Sequence, residues 1–96
     1  VFGLIGSIRA VDGGRGALAA ILGSIGPMPG CLSYVVAEDA NDPDLLWVTE
    51  VWESADAHAA SLDLEEVRAA IGRGRPLIAG FETRIETTPA GGIGLT

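Results

Sequence analysis

Leu45-Leu46-Trp47-Val48-Thr49-Glu50-Val51-Trp52 is the stretch on which the fold turns. It holds no glycine or proline and is rich in the residues that favour an extended, half-buried backbone, so it reads as a strand. Side chains alternate across a strand. Leu46, Val48 and Trp52 therefore fall on one side, and Leu45, Trp47 and Val51 on the other. Both sides are apolar, so both need cover.

Working outward, Asp39 to Asp44 reads Asp-Ala-Asn-Asp-Pro-Asp, a turn built from turn-forming residues. Before it, Cys31 to Glu38 is a second strand centred on Tyr34, Val35 and Val36. The short connection makes the two an antiparallel hairpin. Further upstream, Gly26-Pro27-Met28-Pro29-Gly30 must end a helix, because proline cannot continue one. That helix is predicted from Arg15 to about Ile25, where Leu18, Ile21, Leu22 and Ile25 make one apolar stripe. Phe2 to Val11 alternates as a strand and is stopped by Asp12-Gly13-Gly14. Downstream of Trp52, Ser54 is placed to cap a helix starting at Ala55. A break is expected near Leu62-Asp63, with a fresh acidic helix start at Asp63-Leu64-Glu65-Glu66 and Arg73 and Arg75 near the helix end, suiting its dipole. Gly80 is expected to precede a last strand, Phe81 to Thr88, in which Phe81, Thr83, Ile85 and Thr87 share a face opposite Glu82, Arg84 and Glu86.

The order strand, helix, strand, strand, helix, strand is the split βαβ, ferredoxin-like pattern, an α+β fold with a four-stranded antiparallel sheet. Its helices can cover only one face. The simplest cover for the other is the same face of a second copy, a twofold homodimer with two sheets face to face. Residues 1–88 are expected to form this domain, and the Gly-rich residues 89–96 a loose tail or a strap onto a partner.

Composition narrows the function. The chain has 96 residues and a net charge of −7, from thirteen acids against six bases, all of them arginine. An acidic, lysine-free surface suits neither a phosphate backbone nor anionic lipid, so no nucleic-acid or membrane partner is expected. The longest apolar run, Ala17 to Leu22, is far short of the ~20 residues that cross a bilayer. No N-terminal export signal is visible, and a cytoplasmic location is expected. The single cysteine forbids an internal disulfide, and with a single histidine no metal site is expected.

Pro29-Gly30-Cys31-Leu32-Ser33-Tyr34 resembles the "P-G-C-x-x-Y" opening of the second strand in antibiotic biosynthesis monooxygenase (ABM) domains, which include the quinol monooxygenases. Glu50-Val51-Trp52-Glu53-Ser54, followed by Ala57-His58 and Ser61-Leu62, resembles their "E-x-W-x-S" strand-to-helix join. The resemblance runs from about Phe2 to Thr88. It implies a dimeric α/β barrel with a small cavity in each subunit between sheet and helices. It also implies oxidation of electron-rich phenols, such as hydroquinones and anthrones, by O2 without a cofactor. A haem-degrading branch resembles this chain less. Its first-strand Asn position falls on Gly6 or Ser7 and its iron-binding His position near Ile71, so only Trp52 fits. The fold hosts several activities, so a non-catalytic dimeric module that binds a small ligand or serves a stress response stands as the alternative.

Within that resemblance four residues are candidates for a site. His58 is the only histidine, placed about four residues into the second helix, and imidazole is the side chain suited to taking a proton near neutral pH. The resemblance puts Trp52 beside the cavity, where it would stack on a flat aromatic ligand. Tyr34 has a phenol that could donate to a substrate or superoxide oxygen, the plainer reading being a strand aromatic with its hydroxyl in water. Glu50 shares parity with Trp52 and would face the same side, where an ion pair with an arginine is expected to hold it. Cys31 reads as a buried, inert thiol, and Arg73 and Arg75 as compensation for the helix dipole rather than as anion guides.

Overall fold

A computed structural model describes residues 1–94. Leu95 and Thr96, the end of the expected tail, lie outside the described residues. The strands are β1 (Phe2–Ala10), β2 (Cys31–Glu38), β3 (Leu45–Trp52) and β4 (Ile78–Thr87). The helices are α1 (Arg15–Gly23), α2 (Ala55–Ser61) and α3 (Glu65–Gly74), with a 3-10 turn at Arg75–Leu77 leading into β4. The sheet runs β2-β3-β1-β4, antiparallel throughout. This is the ferredoxin-like arrangement. The sheet is open: β2 and β4 are its edges, so no barrel closes within one chain.

Local chemistry explains the element ends. α2 begins because Ser54 Oγ accepts the Ala57 amide hydrogen bond at 3.1 Å. The expected break before α3 falls at Leu62 to Leu64, with Glu65 and Glu66 in the first turn of α3. Entry into β2 is a tight turn, in which the Cys31 amide donates to the Met28 carbonyl at 3.0 Å. Pro29 takes the second position and Gly30 the third, with φ of +79°, as a type II turn demands. A side chain is excluded there for a second reason, since a Cβ on Gly30 would lie 2.7 Å from Ala57 Cβ. Gly30→Ala is therefore expected to lower stability by about 2–3 kcal/mol, to be read as a reduced urea midpoint with an unchanged slope.

β4 departs from the sequence expectation. It begins at Ile78, not Phe81, and Gly80 lies inside it. Its register against β1 steps from Ser7↔Thr83 to Ile8↔Phe81, skipping Glu82. Directly paired residues share a face, so Phe81 joins Ile8 on the helix side while Thr83 joins Ser7 on the other. Arg84, opposite Gly6, also falls on the helix side. The simple alternation expected for this strand is thus broken by a bulge. Two contacts fix it. Ser7 Oγ accepts from the Thr83 amide at 2.9 Å, and the Arg9 guanidinium bonds both to the bulged Glu82 and, at 2.9 Å, to Asp42 in the β2–β3 turn. Hydrogen bonds from Arg9 hold the Asp42 and Glu82 carboxyls below the usual carboxylate range.

The helices cover one face, as expected, and the core beneath them is in two parts. Ala10, Leu18, Leu22, Leu46 and Val48 pack under α1. Met28, Trp52 and Val67 pack under α3, joined by Phe2, Ala57 and Ile71. The other face carries Ile5, Trp47, Val51, Val35 and Ile85, the last two about half exposed at 53% and 50%. Trp47 is partly accounted for within the chain, since its indole donates to Asp39 Oδ1 at 2.8 Å.

Candidate active site

A cavity of about 430 Å³ opens between the two halves of the core, within the size range of small-molecule sites. Leu22 and Val48 line it from one side, and Met28, Trp52 and Val67 from the other. Its walls are mostly aliphatic and aromatic. All four candidate residues, Tyr34, Glu50, Trp52 and His58, line it. A second hollow of about 500 Å³ runs along β2 and the α1–β2 connection, but neither Trp52, Glu50 nor His58 reaches it.

β3 brings Glu50 and Trp52 to the cavity because they are two residues apart on its helix-facing side. The Trp52 indole Nε1 donates to Glu50 Oε1 at 3.0 Å. The Ser54 cap starts α2 immediately after the strand, and the fourth residue of that helix, His58, is turned back over Trp52. The His58 ring meets Trp52 edge-on, with centroids 5.5 Å apart, and lies tilted on Phe2 at the same separation. His58 Nε2 is 4.0 Å from Glu50 Oε1, and the two side chains are 18% and 14% exposed. That separation is too long for a hydrogen bond.

The arginine expected beside Glu50 is not there. Its partners are the Trp52 indole and the His58 imidazole. Among the described residues no buried side-chain polar atom lacks a partner. The Tyr34 hydroxyl is not in water either, but donates to the Leu22 carbonyl at 3.3 Å. Burial, aided by the Glu50 charge, pushes the phenol up to about 12, so it stays protonated. The same two causes raise the Cys31 thiol, half-buried and donating to the Ser33 carbonyl at 3.6 Å. A protonated thiol is a poor nucleophile, which agrees with an inert role. Arg73 lies in the last turn of α3, where a positive charge opposes the helix dipole, and Arg75 begins the 3-10 turn beyond it. Neither lines the cavity.

Sequence reasoning missed Phe2 and Arg84. Phe2 was within reach: it shares strand parity with Leu4, and its register partner is Trp52. Arg84 keeps its expected alternation with Thr83 and Ile85, but nothing local to β4 says which of its two faces the helices cover. Among the described residues no group of three His, Cys, Asp or Glu side chains could hold a metal ion, and no helix is long and apolar enough to cross a membrane.

The family profile of antibiotic biosynthesis monooxygenases matches residues 7–73, which take in the P-G-C turn, the Glu50–Trp52 strand end and His58. This chain belongs to the antibiotic biosynthesis monooxygenase (ABM) family. Its fold is that of a candidate ABM protein from Chloroflexus aurantiacus J-10-fl, with 55% identity over 99% of this chain and 98% of that one and a TM-score of 0.95. A candidate ABM protein from Deinococcus radiodurans matches at 24% identity over 100% and 99% of the two chains, with a TM-score of 0.79. A Pseudomonas aeruginosa protein matches at 24% identity over 94% of each, with a TM-score of 0.80. At those two identities the likeness speaks for the fold alone. No curated protein sequence matches the chain.

Proposed function

We propose that this ABM-family protein is a cofactor-independent monooxygenase that oxidises a small aromatic hydroquinone or anthrone-type substrate with O2. The observation that carries the reading is an imidazole and a carboxylate set 4.0 Å apart on the wall of an otherwise apolar cavity. Such substrates need little from a protein. Once deprotonated, the anion can give an electron to O2 unaided. The site has only to exclude water, hold the ring flat and take a proton.

In this reading the ring lies against Trp52. His58 takes the proton, and Glu50 offsets the charge on the resulting imidazolium. Tyr34, fixed by its bond to Leu22, forms part of the wall. For an anthrone the carbanion passes one electron to O2, and the radical and superoxide combine to a peroxide. His58 returns its proton to the peroxide, and loss of the remaining C–H proton then forms the C=O as the O–O bond breaks, that proton leaving with the hydroxide as water. One CH2 and one O2 thus become one C=O and one H2O. Oxygen uptake with a panel of hydroquinones and anthrones tests it, and uptake no faster than in buffer would reject the reading in favour of a non-catalytic ligand-binding module.

The working unit we propose is a homodimer, with residues 1–88 as the domain and 89–96 as its tail, acting in the cytoplasm. The second copy would cover the sheet face that carries Ile5, Trp47, Val51, Val35 and Ile85. Sedimentation at micromolar concentration is expected to give twice the chain mass. Ile85→Glu, which places a charge on that face, is expected to return the mass to a single chain. A monomeric wild type would remove the dimer.

A further inference from the structure

The cavity wall is acidic in its depth and basic at its rim. Glu50 lies inside, whereas Arg84 lies where the cavity meets solvent, its side chain 62% exposed. Among the described residues Arg84 is the only arginine lining the cavity. Its pairing with Gly6 puts it on the helix-facing side of the sheet, and the β4 bulge brings Phe81 to the same side. Gly6 has no side chain to fill the space between the guanidinium and the cavity floor at Val48, its register partner on β3. Beside Arg84 the ring of Phe81 also lines the cavity and stands 75% exposed.

The arginines are not equally engaged. Arg9 is bound by both Asp42 and Glu82. Arg15 pairs with Glu38 and donates to the Asp39 and Asp42 carbonyls. Among the described residues Arg84 has a single acidic neighbour, Glu86, at 3.6 Å. That is well beyond the ~2.7–2.9 Å of a charge-assisted hydrogen bond. Its planar fork of donors is therefore open, next to an exposed aromatic ring and above a cavity that accepts a flat apolar body. Guanidinium recognises carboxylates in this bidentate way.

We infer that the cavity selects aromatic substrates bearing an anionic substituent, a carboxylate, whose ring system enters the cavity beside Phe81 while the carboxylate is held at the rim by Arg84. This deepens the proposed reading and rests on it for the cavity being a substrate site. The acidic surface sharpens the selection. A net charge of −7 repels anions from the protein at large, so an anionic ligand is retained only where a guanidinium is open to it.

The test uses two non-reacting probes of one shape, anthraquinone-2-carboxylate and neutral 2-(hydroxymethyl)anthraquinone, titrated against the intact protein with tryptophan fluorescence as readout. Wild type is expected to hold the carboxylate about fivefold more tightly, the scale of a rim-exposed ion pair. The preference should shrink as salt is raised. Arg84→Gln is expected to abolish the preference and leave the neutral probe unaffected. Glu86→Gln, which removes the competing carboxylate, is expected to enlarge it. Both positions are exposed, so folding is not at stake. Equal affinity of wild type for the two probes, or a preference that survives in Arg84→Gln, overturns the inference, as does failure of both probes to bind. Because neither probe reacts, the selectivity is read separately from turnover. A carboxylate preference in a protein that consumes no oxygen upholds the selectivity and rejects only the monooxygenase reaction.

Discussion

His58→Gln is expected to slow oxygen uptake on the preferred aromatic substrate by about 100-fold or more, the usual contribution of a positioned general base. Glutamine keeps a polar group of similar reach over Trp52 but cannot carry the proton. The substitution should therefore lower kcat and leave KM within a fewfold of wild type. Stability should change little, by about 0.5–1.5 kcal/mol for the lost edge-on contact with Trp52. Glu50→Gln offers the internal comparison. It keeps an oxygen for the Trp52 indole at its 3.0 Å bond but no longer offsets an imidazolium. A smaller loss than at His58 is expected. Wild-type kcat in His58→Gln would remove the imidazole from the mechanism, however well the cavity binds its ligand.

Leu46→Ala is expected to be the most damaging single truncation in the half of the core under α1, at about 2–5 kcal/mol. Leu46 is 0% exposed. It sits on β3 between Ile8 of β1 and Glu38 of β2 in register, and packs with Leu18 and Leu22 from α1. Its packing partners belong to two strands and a helix, so the surroundings collapse only partly into the gap. A 96-residue domain has about 5–14 kcal/mol to lose in all. The variant should melt upward of ~10 °C lower than wild type, as followed by circular dichroism. A loss below ~1 kcal/mol would contradict the packing described for α1 against the sheet.

The parts of the molecule that were legible in the sequence are those with strong local signals. The two-faced apolar pattern of Leu45 to Trp52, the prolines after α1 and the Ser54 cap each act within a few residues. They gave the element order and hence the sheet. The site was legible to the extent that it is built on one such element. Glu50 and Trp52 share a strand face, and His58 is one helical turn past the cap. What could not be read is set by pairing between distant segments. The step in register at Glu82 depends on Ser7 and Arg9, more than seventy positions earlier in the chain. It moved Phe81 away from Thr83, Ile85 and Thr87, its expected neighbours, and onto the face of Arg84. The partner of Glu50 was misjudged for a related reason. An arginine is the common companion of a buried carboxylate, but here an indole N–H two residues away on the same face was already within reach.

The open sheet also leaves β2 with one side of its backbone unpaired. From Cys31 to Ala37 that strand reads Cys-Leu-Ser-Tyr-Val-Val-Ala, with no charge and no proline. β4, the other edge, is interrupted by its bulge and carries Glu82, Arg84 and Glu86. The two borders therefore differ in how they treat a stray strand. β4 discourages lateral addition, whereas β2 has the composition of a segment that templates cross-β stacking once exposed. When the protein is crowded or half unfolded, fibrillar aggregation should nucleate at β2, and a lysine or proline placed on that border would be the change to suppress it.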